Sequence, residues 1–264
     1  MNKELLISIK GLKKEARQAF LEQADPKTLS CDNIVPGLIS VKDHSKSNII
    51  LIAEGFRQMV LSRIPGWAAT RIRMEYKGES DKGKTPSAPV LHKYAYIPGV
   101  VENVREIISN LQKGVFRLSE NERTLTLSCE FFSDIPVSSH YKEFLLGEFF
   151  DEDQAKVIIN PEQNILTFQD TGHHVRIELT IEKGVGFRSA KDVKRDEIMK
   201  THGNPDVLAL ALDANFNPVI KAGYRIEKEM LQFDIETNGA ITPLEAYETA
   251  YGHFSTELMQ SEGL

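Results

Sequence analysis

The sequence predicts an α+β fold of two domains, with the second inserted into the first. Two observations carry this: amphipathic helical spacing near both ends of the chain, and short alternating strands over most of the middle. Chain termini commonly lie close together, so the first and last segments can form one domain around a central insert. The expected boundaries are residues 1–66 with 204–264 for the helical domain, and 67–203 for the β-rich insert.

In residues 47–66 (SNIILIAEGFRQMVLSRIPG), Ile52, Phe56, Met59 and Val60 fall at helical spacing, while Arg57 and Arg63 leave that face. Pro65-Gly66 stops the helix. Its start is open, because residues 49–52 alone also read as a strand. Over residues 69–76, Ile72, Met74 and Tyr76 alternate with Arg71, Arg73 and Glu75, which is the period of a strand with one wet face. Residues 77–89 (KGESDKGKTPSAP) hold no aliphatic anchor and read as a surface loop. A strand is expected at 90–96. Val100, Val104, Ile107, Ile108 and Leu111 then mark a helix of about three turns, ended by Gly114.

Short apolar runs follow at 115–118, 124–129, 157–160 and 165–169. The clearest strand is 174–183, where Val175, Ile177, Leu179 and Ile181 alternate with Arg176, Glu178, Thr180 and Glu182. Residues 184–206 read as an irregular, charged return segment, and strands resume at 208–212 and 222–226. Leu231, Phe233 and Ile235 alternate again before the Asn238-Gly239 turn. Thr242, Pro243 and Glu245 then form the signature of a capped helix start. Leu244, Tyr247, Tyr251, Phe254 and Leu258 give that helix a broad apolar stripe. The stripe has two possible destinations, the chain's own body or a second subunit.

Composition narrows the function. The chain is 41% hydrophobic and 27% charged, with 32 basic and 38 acidic side chains and a net charge of −6. That balance argues against broad, unassisted nucleic-acid binding. The two cysteines, Cys31 and Cys129, form no CxxC pair, which favours a reducing compartment over a disulfide framework or zinc site. No apolar run approaches the roughly 20 residues a membrane helix needs. The first residues lack a secretory apolar core; their Lys/Arg content fits an organellar address, against which Glu4 and Glu15 speak.

Candidate chemistry is sparse. His173-His174 would point to opposite faces of a strand and cannot readily chelate one ion together. Asp151-Glu152-Asp153 lacks the glycine turn and distal Glu of a calcium loop and reads as a solvated turn. Gly184-Val185-Gly186 is a fragment of a dinucleotide fingerprint without the third glycine or an apolar helix. Hydrolase, zinc-protease, phosphate-loop and thiol-nucleophile motifs are missing. Arg57, Arg63, Arg71 and Arg73 form either a solvated face or a basic surface for a partner protein.

Five segments, in order, resemble the N-terminal assembly domain of the bacterial and plastid RNA polymerase α subunit: FRQMVLSRIPG (56–66), VLHKYAYIPGVVENVREIISNLQKG (90–114), KGVGFRSA (183–190), LDANFNPVIKAGYRIE (212–227) and TNGAITPLEA (237–246). The resemblance covers most of residues 45–260. It implies a helical dimerisation domain with an inserted β-rich domain. It further implies a non-catalytic subunit on which the large β and β′ subunits assemble, with no cofactor of its own, the catalytic magnesium belonging to β′. Its partners would be a second α-type chain, identical or paralogous, and β and β′, with DNA reached only through the complex and no membrane. The setting would be bacterial cytoplasm, or plastid stroma as the alternative.

From this resemblance, Phe56, Met59, Val60, Tyr247, Tyr251, Phe254 and Leu258 are expected at the dimer interface. Arg57, Gln58, Leu61, Lys113, Val185 and Arg188 are expected to face the large subunits. The chain departs from the family at Gln58, where the second residue of an Arg-Arg pair implicated in β binding is usual, and at Val185, where the family has Arg between glycines. The 227–231 hairpin is shorter and 77–89 is additional. The chain ends at Leu264 without the family's linker and DNA-binding C-terminal domain, so upstream-promoter contacts are not expected of it. The two lost arginines raise the expectation of a heterodimer, in which a different α-like chain supplies the missing contact. The rival reading is a stand-alone dimeric protein-binding module of the same fold.

Overall fold

Alternation along residues 174–185 builds the centre of one half of the molecule. The structure, a computed structural model, describes residues 39–40, 46–78, 88–119, 121–135, 140–149, 157–201, 206, 208–227 and 230–260. The chain divides into a terminal unit (Met1–Pro65 and Asn217–Leu264) and a central unit (Gly66–Phe216). Residues 204–216, expected with the terminal segments, therefore belong to the insert.

The central unit is organised by β2 (Pro65–Lys77), β4 (Thr124–Phe132) and β7 (His174–Val185) in one sheet, ordered β3-β2-β7-β4 with β3 at Ala88–Pro89 and β9 (Leu210–Ala211) also pairing with β2. Val175, Ile177, Leu179 and Ile181 are fully buried, and β4 runs antiparallel beside them with Leu127 opposite Leu179 and Phe131 opposite Val175. Helix α2 (Val104–Gln112) buries Val104, Ile107, Ile108 and Leu111 in the same core. It starts later than the expected Val100, which instead bridges Phe168, because Asn103 and Glu106 form a reciprocal capping box. The β5–β6 pair (Lys142–Leu145 and Asn164–Phe168) completes the core, and β8 (Phe187–Arg188) pairs with β10 (Ala214–Asn215).

Two expectations fail in this unit. The strand expected at 90–96 does not form; the short β3 lies just before it, at Ala88–Pro89, in the stretch expected as a loop. Beyond it the chain turns, with the Ala95 amide donating to His92 O and the Tyr94 amide to His92 Nδ1. The supposedly irregular 184–206 segment contains helix α3 (Ala190–Lys200), N-capped by Ser189, which accepts from the Asp192 amide.

The terminal unit is a helix pair on a sheet. Strands β1 (Ile39–Ser40), β12 (Met230–Thr237) and β11 (Val219–Glu227) form an antiparallel sheet in the order β1-β12-β11. Helices α1 (Lys46–Ser62) and α4 (Pro243–Gln260) pack on each other and on it. The α4 cap is as expected: Glu245 N–H donates to Thr242 Oγ1 at 3.1 Å and Thr242 N–H to Glu245 Oε2 at 2.7 Å. Gly239 adopts φ 92°, which the preceding turn requires and glycine tolerates. Residues 1–38 with Cys31, most of the 77–89 loop, the 151–153 acidic run and the tip of the 227–231 hairpin lie outside the described residues.

Candidate functional site

Helix α1 directs one face inward. Phe56, Met59, Val60, Tyr247 and Phe254 are each 0% exposed in the single chain. The Phe56 ring lies 4.6 Å from Phe233, 5.1 Å from Tyr247 and 5.8 Å from Phe254. These five were expected at a dimer interface; in the single chain their side chains pack into the protomer's own core. Tyr251 is partly buried against the same cluster, stacked on Tyr247. Leu258 belongs to α4, but its side chain is outside the described residues.

A second face of α1 remains accessible. Ile50 is exposed, and Leu51, Glu54, Arg57, Gln58 and Leu61 follow at three- and four-residue steps, all partly open. On α4, Leu244 and Tyr251 are likewise partly open. Glu54 organises the polar centre of the α1 face. Its two oxygens accept from Arg57 Nη2 at 2.5 Å and Nε at 3.0 Å, with Gln58 Nε2 at 3.5 Å. The Arg57 hydrogen bonds hold the Glu54 carboxyl below its ordinary range, and Glu54 raises Arg57 in turn. Arg57, Gln58 and Leu61 thus share one helix face, as their expected role requires, with Arg57 already engaged.

In the central unit, Lys113 stands exposed at the C-cap of α2, its Nζ 3.3 Å from Asn110 Oδ1. The Gly184-Val185-Gly186 turn is built by sterics. A side chain at 184 would meet the Phe216 ring, and Gly186 takes φ 70°. The turn leaves Val185 51% and Phe187 67% exposed. Phe187 was not singled out from sequence, although it stands two residues beyond Val185. Arg188 differs from expectation: its guanidinium bonds Glu182, lies 3.6 Å from Asp196 and covers the Phe216 ring. It serves the unit's interior, and the apolar pair Val185/Phe187 is what faces out.

The arginine cluster is also spent internally. Arg71 reaches Glu197 at 3.0 Å and Glu182 at 3.5 Å, and Arg73 bonds Glu75 at 2.8 Å. Arg63 lies 4.0 Å from Glu257. Glu182 and Glu197 are both buried, so these pairs pin α3 to the sheet. The two histidines have separate partners: His173 Nδ1 sits 3.0 Å from the Tyr76 hydroxyl, and His174 stacks on Phe132. Among the described residues, no three His, Cys, Asp or Glu side chains are grouped to hold a metal ion, and no helix is long and apolar enough to cross a membrane.

A family model described as the RNA polymerase Rpb3/RpoA insert domain matches residues 70–217, more than half of the chain. The chain belongs to that family. The matched stretch of this insert domain runs from β2 to one residue past the boundary of the central unit. Relatives extend the likeness into the terminal unit. The DNA-directed RNA polymerase subunit alpha of Onion yellows phytoplasma (strain OY-M) is 29% identical over 237 residues, covering 88% of this chain and 62% of that protein. The subunit of the same name from Bifidobacterium longum (strain NCC 2705) is 30% identical over 212 residues, covering 75% and 54%. That of Thermus thermophilus is 30% identical, covering 76% and 58%. The chain thus spans about three-fifths of the length of the curated relatives it matches first.

Proposed function

We propose that this chain is a non-catalytic α-type subunit of a multisubunit DNA-dependent RNA polymerase. It pairs with a second α-type chain and provides the platform on which β and β′ assemble in the cytoplasm. The observation that carries this reading is the insert-domain match over residues 70–217, joined to relatives named as alpha subunits over up to 88% of the chain. The surfaces fit an assembly role better than a chemical one. Pairing would use the open faces of the terminal helices, through Ile50, Leu51, Leu244 and Tyr251. Arg57, Gln58 and Leu61, with Lys113, Val185 and Phe187, would meet the large subunits. The chain needs no cofactor for this; the catalytic magnesium belongs to β′, and DNA is reached through the complex.

Gln58 and Val185 support a finer version, in which this chain occupies one of two unequal α positions beside a paralogous partner. Reconstitution tests the reading. The chain co-expressed with its candidate β and β′ subunits, and with the paralogous α-type chain in the finer version, should yield an active polymerase, and Val185→Glu/Phe187→Glu should lower the yield of assembled enzyme. Recovery of full transcription from β and β′ without any α-type chain would refute it.

A further inference from the structure

The central unit carries a cleft of about 510 Å³ that none of the expected contact residues lines. Its floor is apolar, formed by Ile108, Leu210 and Leu212, and its rim carries Leu91, Lys93, Tyr94 and Arg105. Leu91 and Tyr94 are more than half exposed. The charges are asymmetric. Two cations, Lys93 and Arg105, line the cleft against one anion, Asp213, whose Oδ1 accepts from the Ala190 amide at 2.7 Å at the start of α3. Lys93 lies over the Tyr94 ring, and neither it nor Arg105 has a carboxylate partner among the described residues. Arg105 also occupies the first turn of α2, where a cation opposes the helix dipole and lowers helix stability. A chain with net charge −6 therefore keeps, among the described residues, two cations without a carboxylate partner at the rim of an apolar floor.

We propose that this cleft receives a short acidic segment of a partner protein, anchored by one apolar or aromatic side chain. The anchor would fill the floor between Ile108 and Leu212. Flanking carboxylates would meet Lys93 and Arg105, and Tyr94 would cover the anchor's open side. The inference concerns the central unit alone and does not depend on the polymerase reading. It would hold equally for a stand-alone module.

The test is fluorescence anisotropy of the full chain with three labelled synthetic heptapeptides. One carries Leu-Phe flanked by Asp and Glu, one replaces the acids by Lys, and one replaces Leu-Phe by Gly-Gly. The first should bind, with affinity falling as salt rises, and the other two should bind about tenfold or more weakly. Lys93→Glu/Arg105→Glu should weaken the first peptide by about tenfold, and Ser109→Trp, an exposed helix position that narrows the cleft, should do so without changing charge. Both variants alter exposed residues, and an unchanged thermal melt would show that the fold is intact. Equal binding of the acidic and basic peptides, unchanged binding by both variants, or an oligonucleotide of matched charge binding in place of the peptide would overturn the proposal.

Discussion

Replacing Phe56 by alanine removes the ring at the centre of the terminal unit. That ring is fully buried and touches Phe233, Tyr247 and Phe254, two of which belong to α4 and one to β12. A buried Phe→Ala change costs about 3–5 kcal/mol through lost burial and the cavity left behind. Each ring pair contributes about 0.5–1.5 kcal/mol beyond its area, so the upper end, about 5 kcal/mol, is expected. That is a third or more of a typical domain's stability of about 5–15 kcal/mol. Phe56→Leu, which keeps most of the volume but loses the ring pairs, should cost less, about 2 kcal/mol. Urea unfolding followed by circular dichroism, at about 1 and about 100 μM protein, reads both changes. An intramolecular core gives the same loss at both concentrations. A loss below about 1 kcal/mol for Phe56→Ala, or one seen only on dilution, would refute the placement of this ring inside one chain.

Further changes probe other parts of the structure. Glu182→Gln should destabilise the central unit by about 2–4 kcal/mol, because it strips the buried partner from Arg71 and Arg188. Lys200→Ala, whose side chain is largely exposed, should cost under about 0.5 kcal/mol by the same urea unfolding. Gly99→Ala should cost about 2 kcal/mol or more, since Gly99 has φ 76° and a Cβ there would overlap the His173 ring, whereas Gly223→Ala meets no neighbour and should be nearly neutral. Thr242→Ala should cost about 1 kcal/mol by removing the α4 cap, with Thr242→Ser restoring most of it. Because the Glu54 carboxyl is held low in the folded state, its contribution is present above the ordinary value of 4.5 and is lost as pH falls through the lower folded value. Glu54→Gln should therefore remove a small part of the acid-side fall in stability, measured by melts from neutral pH down to about pH 3.

What was legible in the sequence was local. The Thr242–Glu245 cap and the Asn238-Gly239 turn involve residues close to one another in the chain, and β7 announces itself by an unbroken alternation. What was hidden was long-range. Helix α3 buries only Val193 and Glu197, so its sequence lacks an apolar stripe; it is held by Arg71 and Arg188, and Arg71 lies far away in the chain. Arg71 itself read as one residue on a wet strand face, because its partners Glu182 and Glu197 are more than a hundred positions distant. The stripe of α4 could not say whether its cover came from the same chain. Apolar spacing measures the need for burial, while Phe56 and Phe233 supply it from two other segments.

On the proposed reading this chain works as an α-type platform within a polymerase. Native mass spectrometry of the endogenous complex, purified through a tag on this chain, tests it most directly. A particle holding two α-type protomers, this chain being one or both, together with two large subunits is expected. Recovery of the chain only as a free monomer or dimer, with no large subunits bound, would contradict it.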